Sequence, residues 1–517
     1  MNGADRLCET LLANGVDVCF ANPGTSEMHF VAALDRNPRM RCILGLFEGV
    51  VTGAADGYGR MAGKPAATLL HTGPGLANGL ANLHNAKRAH TPVINIVGDH
   101  ANFHLRYDAP LTSDIYSLAA PMSNWVQRIK GPDDVGAAIE AAYAASLKMP
   151  GVATVILPAD AAWSEAAPAS ARAAAVPARP IASEAALREA AQAIRQGAGR
   201  TGLLLAGEAL RGEGLEMAGR IAGAFGARLF SPVLIARAER GRGRAAFARI
   251  PYPVEPALDA LRELDALILV GEAEPVAFFA YPGMPSRLAP PRCQILSLAT
   301  ASDDQTGSLA ALGEKLGVAA GKRPAARRAG MPEGTPSGAL NEDAISVLLA
   351  EMLPEGAIVC DEGLTSARRF FELGAAAAPH DYLMNTGGSI GIGIPLACGA
   401  AVACPDRKVV TLQADGSGLY TVQGLWTQAR ENLDVLTIVF ANHAYAILQI
   451  EMRNLGVKNF GRNAERMMSL DAPKVDWVGM ARSMGVDGAR AATCEDFSTL
   501  LARALKTKGP YLIEAAI

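Results

Sequence analysis

The sequence predicts three consecutive α/β domains, each built on a parallel sheet. Three observations carry that expectation. The 517 residues exceed what one compact core holds, and a length prior of roughly 150 residues per domain gives about three. Short apolar runs alternate with helix-length stretches from end to end, the rhythm of βαβ units. Two stretches interrupt that rhythm, Ala/Pro-rich at 166–180 and Pro/Gly-rich and basic at 321–338. They cut the chain into domains expected at 1–165, 186–320 and 340–517.

In the first segment, strands are expected at 18–21, 43–44, 66–70 and 93–97, with helices between them. The middle segment repeats the pattern at 202–206 and 266–270. The last segment repeats it at 358–360, 409–412 and 435–440. In such sheets ligands bind beyond the carboxyl ends of the strands, so the turns there are where chemistry is to be sought.

Half of the residues are hydrophobic and 19% are charged, which fits buried α/β cores and excludes a disordered chain. A net charge of −3 gives no general attraction to nucleic acid or to an anionic membrane. The first twenty residues carry charges within an amphipathic helix pattern, not a basic start before an apolar stretch. The longest uncharged apolar run, 390–404, contains Gly and Pro and is too short to cross a bilayer. Eight scattered cysteines with no CxxC indicate neither a zinc site nor a disulfide framework. A cytoplasmic protein is expected.

The strongest chemical signal lies between 409 and 448. A strand runs into Ala414-Asp415-Gly416-Ser417, a helix is expected over 419–430, and a second strand ends at Asn442. Asp415 and Asn442 thus stand at the carboxyl ends of two strands joined by one helix. Mg²⁺ takes hard oxygen ligands from one or two protein groups, the rest coming from phosphates and water. Gly416 permits close backbone approach, and the helix start offers free N–H groups to a phosphate. Taken alone, such a pair is more often an ordinary Asp-Gly turn and a surface Asn.

The pair is not alone. Asp415-Gly416 with Asn442, 27 residues on, resembles the thiamine-diphosphate motif, GDG followed by Asn. That resemblance implies Mg²⁺ bound by the Asp415 and Asn442 side chains and by the Ala444 carbonyl. It places Gly416, Ser417, Tyr445, Ala446 and Ile447 against the cofactor. The first Gly of the motif is replaced by Ala414, tolerable at negative φ and strained at positive φ. Upstream, Gly387-Gly388-Ser389-Ile390-Gly391 resembles the family's Gly-rich segment. Gly388 is then a cofactor contact and Ile390 the bulky residue that holds the cofactor bent. Asp361-Glu362-Gly363-Leu364-Thr365 resembles a segment contacting the cofactor and its diphosphate.

In the first segment, Asn22-Pro23-Gly24-Thr25 resembles the NPG(S/T) turn of benzoylformate decarboxylase, which turns Thr25 toward the substrate. Thr25 or Ser26 could equally serve only as a helix cap. Glu48 opens a small-residue helix containing Gly57-Tyr58-Gly59-Arg60. An acid at a helix start is often just a dipole partner, but the resemblance implies that Glu48 hydrogen-bonds the aminopyrimidine and activates the cofactor. His71, after the strand at 66–70, matches an active-site His of the decarboxylase, which moves protons to and from intermediates. Acetolactate synthases resemble Thr72-Gly73-Pro74-Gly75 but lack the His. The decarboxylase's second His has no counterpart, Phe279 standing near its place. His100 and His104 are expected as loop histidines.

The chain is therefore identified as similar to thiamine-diphosphate-dependent 2-oxo acid decarboxylases and acetolactate-synthase-like large subunits. The resemblance implies decarboxylation of a 2-oxo acid through an enamine intermediate, with or without carboligation. The alternatives are acetolactate synthesis and, with less support, a catalytically idle subunit. A homodimer or homotetramer with active sites at the subunit interface is implied. Gly207-Glu208-Ala209-Leu210 is not a dinucleotide fingerprint, so FAD is not expected. No nucleic acid or membrane partner is expected.

Overall fold

The computed structural model describes residues 1–197, 199–318 and 331–517. The basic stretch 321–330 lies outside the described residues, whereas 166–183 carries no helix or strand. The residues group into two compact units. One comprises Met1–Val176, Met331–Leu373 and Asn385–Ile517; the other comprises Pro177–Gly330 and Gly374–Met384.

The first sheet holds β1 (Val18–Asn22), β2 (Arg41–Leu44), β3 (Ala66–Leu70), β4 (Val93–Asp99), β5 (Trp125–Arg128) and β6 (Val152–Pro158), in the order β2-β1-β3-β4-β6-β5. Every pairing in it is parallel. β3, β4 and β6 are buried throughout, as strands covered on both faces must be. Its core takes in Leu7, Phe30, Leu69, Ile96, Ile139 and Val155.

In the other unit, β7 (Thr201–Leu205), β8 (Arg228–Ser231), β10 (Ala248–Arg249), β11 (Ala266–Val270) and β12 (Gln294–Ala299) form a second parallel sheet, ordered β10-β8-β7-β11-β12. The same unit contains an antiparallel pair, β9 (Ala238–Arg240) with β14 (His380–Met384).

The third parallel array, in the first unit, runs β17-β18-β16-β15-β13. Its strands are β13 (Ile358–Glu362), β15 (Val409–Ala414), β16 (Val435–Ala441), β17 (Asp487–Ala491) and β18 (Tyr511–Ala516). The expected alternation of strand and helix is thus realised three times.

Two helices of the first unit meet at backbone distance. A Cβ at Gly57, in the helix Glu48–Ala62, would lie 2.0 Å from the Leu396 carbonyl oxygen. One at Gly399, in the helix Gly393–Ala403, would lie 1.8 Å from that of Ala54. The small residues after Glu48 are therefore a packing face, which fixes where the helix start and its acid stand. Within that helix Asp56 and Arg60 form a buried ion pair at 2.5 Å. Thr91 donates to Asp56 at 2.6 Å and Arg60 donates to the Thr386 hydroxyl at 3.1 Å. These bonds supply the partners that buried charges require. Among the described residues no helix is long and apolar enough to cross a membrane.

Candidate active site

The carboxyl ends of β1 and β3 build the first cluster. β1 ends at Asn22 and the chain turns through Gly24 into a short 3₁₀ turn, Thr25–Glu27. Glu27 folds back, accepting the Gly24 N–H at 2.8 Å and the Ser26 hydroxyl at 2.6 Å. Its side chain is fully buried, and the oxygen that accepts the Gly24 N–H also lies 2.8 Å from Nδ1 of the half-buried His71 ring. The Ser26 hydroxyl lies 3.1 Å from the same nitrogen. A proton on Nδ1, directed at the Glu27 carboxylate, leaves Nε2 as the working end of the ring. Gly24 is required here because a Cβ would sit 2.2 Å from the His71 ring. Thr25 is exposed on the same turn.

His71 passes into the helix Thr72–Arg88 through Thr72, a buried β-branched residue at φ +51°. Such a conformation costs on the order of 1–3 kcal/mol and persists only where surrounding contacts impose it. Glu48 heads the helix Glu48–Ala62 and accepts from Asn78 Nδ2 at 3.0 Å. Glu48 and His71 converge on one glycine: a Cβ at Gly75 would lie 3.2 Å from Glu48 Oε1 and 3.4 Å from His71 Cβ.

The second cluster stands at the ends of β15 and β16, adjacent parallel strands with Ala414 opposite Phe440. Asp415 is buried; its oxygens accept the Gly416 N–H at 2.8 Å and the His443 N–H at 2.7 Å. Burial pushes its carboxyl above the usual range, against the pull of those two amides. Asn442 Oδ1 accepts the Ala444 N–H at 3.0 Å, folding the chain back at His443, whose φ is +54°. A Cβ at Gly416 would lie 2.5 Å from the Tyr445 ring. Ala446 and Ile447 then open the helix Ala446–Asn454, which buries none of its side chains.

The Gly-rich segment forms a loop between these clusters in sequence. Gly388 takes φ +77° and donates to Asn385 Oδ1 at 2.9 Å, and Gly391 takes φ +96°, with the half-buried Ile390 between them. Asn82, on the helix after His71, donates to the carbonyls of Gly49 at 2.8 Å and Gly391 at 3.5 Å. The residue after Glu48 and the residue after Ile390 thus share one amide.

Some expectations need correction. The helix expected over 419–430 begins only at Gly424, after a short turn of helix Asp415–Gly418. The Ser417 hydroxyl is engaged internally, accepting from Gln413 Nε2 at 2.7 Å and donating to the Ala414 carbonyl at 3.2 Å. Ala414 adopts φ −71°, ψ 141°, so its methyl causes no strain. His104 is exposed on its loop as expected, whereas His100 is half-buried, with its ring centroid 5.6 Å from that of His104. Asp99, beside His100, is buried and paired with Arg128 at 2.5 Å. Phe279 is exposed and packs edge-on against Phe278 at 5.0 Å. The contact of Glu27 and Ser26 with His71 is not evident from sequence; its only signal is a Glu three residues after Gly24, in the position of a capping box.

Residues 1–117 match the family model for the thiamine pyrophosphate enzyme N-terminal TPP binding domain, and 366–515 match the C-terminal TPP binding domain. Across its whole length the chain is 49% identical to a Mycobacterium tuberculosis protein named "Putative acetolactate synthase large subunit IlvX", covering 99% of that protein. It is 28% identical to the benzoylformate decarboxylase of Pseudomonas aeruginosa, over 98% of this chain and 97% of that one. The structure superposes on the thiamine diphosphate-dependent 4-hydroxybenzoylformate decarboxylase of Rhodococcus jostii with a TM-score of 0.88. At 24% identity, over 99% of this chain and 98% of that one, this likeness bears on the fold. The two matching segments carry the Glu48 and the Asp415–Asn442 clusters respectively, and the chain belongs to the thiamine pyrophosphate enzyme family.

Proposed function

We propose that this enzyme decarboxylates a 2-oxo acid with thiamine diphosphate and Mg²⁺, and releases the aldehyde. The observation that carries the reading is the buried Glu27 carboxylate 2.8 Å from His71 Nδ1, with Glu48 approaching the same histidine across Gly75. When bound, the cofactor supplies the carbanion-stabilising centre that the side chains lack.

The chain's own residues fit such a group. Asp415 and Asn442 present oxygens, with the Ala444 carbonyl two residues on, to a hard cation, which would offset the desolvation of the buried Asp415. Among the described residues no group of three His, Cys, Asp or Glu is arranged to hold a metal ion, so a Mg²⁺ ion would rely on amide, carbonyl and phosphate oxygens beside Asp415. Gly388, Gly416 and Ser417 offer backbone against the cofactor, and Ile390 offers bulk. Glu48 holds a proton at the aminopyrimidine, its carboxylate kept in place by Asn78. His71, oriented by Glu27, moves a proton through Nε2. Thr25 faces the substrate; Tyr445, Ala446 and Ile447 close the site beyond the metal.

In this reading the segments 1–165, 186–320 and 340–517 serve as aminopyrimidine-binding, middle and diphosphate-binding domains. A homodimer or homotetramer assembles the active sites at its subunit interface. Eight free cysteines, seven of them buried or half-buried, support a reducing, cytoplasmic setting.

A second reading, condensation of two 2-oxo acids to an acetolactate-type product, is favoured by the name of the 49% identical relative. Products formed from pyruvate and from aromatic 2-oxo acids, with thiamine diphosphate and Mg²⁺ present, decide between them. Free aldehyde and CO₂ are expected. Acetolactate as the main product from pyruvate would replace the first reading with the second.

A further inference from the structure

The sequence places Glu362 in a segment expected to touch the cofactor, but its carboxylate is taken up within the protein. Glu362 ends β13 and is buried. One oxygen accepts the N–H groups of Gly391 at 2.8 Å and Ile392 at 3.1 Å, with Asn385 Nδ2 at 3.5 Å. The other accepts the Gly393 N–H at 2.8 Å and Gln413 Nε2 at 3.0 Å. Three successive backbone donors at the start of the helix Gly393–Ala403 therefore close on an internal anion, the arrangement that a helix N-terminus otherwise offers to an external one. A Cβ at Gly393 would meet Gln413 Oε1 at 2.4 Å and Glu362 Cβ at 2.9 Å, so the two side chains occupy the space a larger residue would need.

Gln413 extends the contact. Besides Glu362 it donates to the Ser417 hydroxyl at 2.7 Å and to the Ala414 carbonyl at 3.3 Å, both in the turn that presents Asp415. One carboxylate thus fastens the loop that carries Ile390 and, through a single amide, the turn that carries Asp415.

We propose that Glu362 is a positioning residue that sets the spacing between Ile390 and the Asp415 turn before any cofactor arrives. The inference rests on the reading of Ile390 and Asp415 as cofactor-holding residues. Glu362→Gln keeps the shape but removes the charge and leaves one acceptor oxygen, so an NH₂ faces either the Gly391/Ile392 pair or the Gly393/Gln413 pair. Gln413→Ala cuts only the link to the Asp415 turn.

Hydrogen exchange of the cofactor-free protein, read by mass spectrometry on peptides covering 385–396 and 411–420, tests this directly. Both peptides should exchange at least fivefold faster in Glu362→Gln, and only 411–420 in Gln413→Ala. Calorimetric titration with thiamine diphosphate and Mg²⁺ should show affinity at least tenfold weaker in Glu362→Gln. At saturating cofactor its kcat should recover to within about threefold of the wild type, a split that a general loss of fold would not give. Wild-type exchange in both peptides of Glu362→Gln overturns the proposal. If that variant does not fold, Gln413→Ala decides: unchanged exchange at 411–420 overturns the proposal, and a local increase there supports it. Failure of the wild type to bind thiamine diphosphate would instead defeat the cofactor reading, while the exchange result would still decide whether Glu362 clamps the two segments.

Discussion

Replacing Glu27 with Gln probes the cluster on which the decarboxylase reading depends. The fully buried carboxylate accepts from Gly24 N–H and Ser26 Oγ and faces His71 Nδ1. Hydrogen bonds to a charged group contribute about 1.5–3 kcal/mol each, against about 0.5–1.5 kcal/mol between neutral groups. Glutamine has one acceptor oxygen, so at least one of the three partners would face an NH₂ group. The loss of stability should be about 2–4 kcal/mol, read from the urea midpoint of the far-UV transition. His71 would lose the contact that selects its tautomer and orientation, and kcat for 2-oxo acid decarboxylation should fall about 10–100-fold, about 1.4–2.8 kcal/mol. Affinity for thiamine diphosphate should stay within about threefold, since Glu27 acts on His71. Because the two act as a unit, Glu27→Gln in a His71→Ala background should cost little more. Fully additive losses in kcat would refute the coupling, as would a Glu27→Gln enzyme with wild-type turnover.

Three further outcomes follow from the same geometry. Gly24→Ala places a methyl 2.2 Å from the His71 ring; kcat should fall at least tenfold, and wild-type turnover would show that the turn yields freely. Ala414→Gly, although it restores the family's usual residue, should change thiamine diphosphate affinity by less than about threefold, because Ala414 already sits at φ −71°; a large gain in calorimetry would contradict that. His380 is buried, and desolvation, aided by nearby Arg240 and opposed by the Ala378 carbonyl, lowers its pKa from 6.5 to about 4. The unfolded chain therefore binds this proton first as pH falls, so stability is full above 6.5 and declines between 6.5 and about 4, by roughly 2 kcal/mol at pH 5. His380→Asn should flatten the fall in urea midpoint between pH 7 and 5, and an unchanged slope would refute the assignment.

Much of the fold was legible because its causes are local. Strands such as Val409–Ala414 and Val435–Ala441 are largely apolar and buried, the mark of a sheet covered on both faces, and the Asp-Gly and Asn at their ends follow from chain order alone. The approach of Glu48 to His71 was not legible. It depends on Gly75, in the helix Thr72–Arg88, presenting hydrogen where a side chain would separate them. Glu27 carries no distinct signal because a helix-start carboxylate and a histidine partner look alike in sequence. The inward turn of Glu362, within a segment that resembles a cofactor contact, was not legible because sequence order says nothing of which donors fold over it. The helix expected from 419 begins later because residues 419–423 form turns that bring Thr421 Oγ1 to within 2.7 Å of the Gly391 carbonyl, a contact 30 residues apart.

The central claim is that Glu48 activates thiamine diphosphate held by the Asp415–Asn442 cluster. The exchange rate of the cofactor's thiazolium C2 proton for deuterium, measured by quenched-flow NMR on the wild type and on Glu48→Gln with cofactor bound, tests it most directly. The wild type should accelerate exchange by at least a thousandfold over free cofactor, and Glu48→Gln should retain binding but lose most of that acceleration. Equal acceleration in the two proteins would contradict the assignment of Glu48.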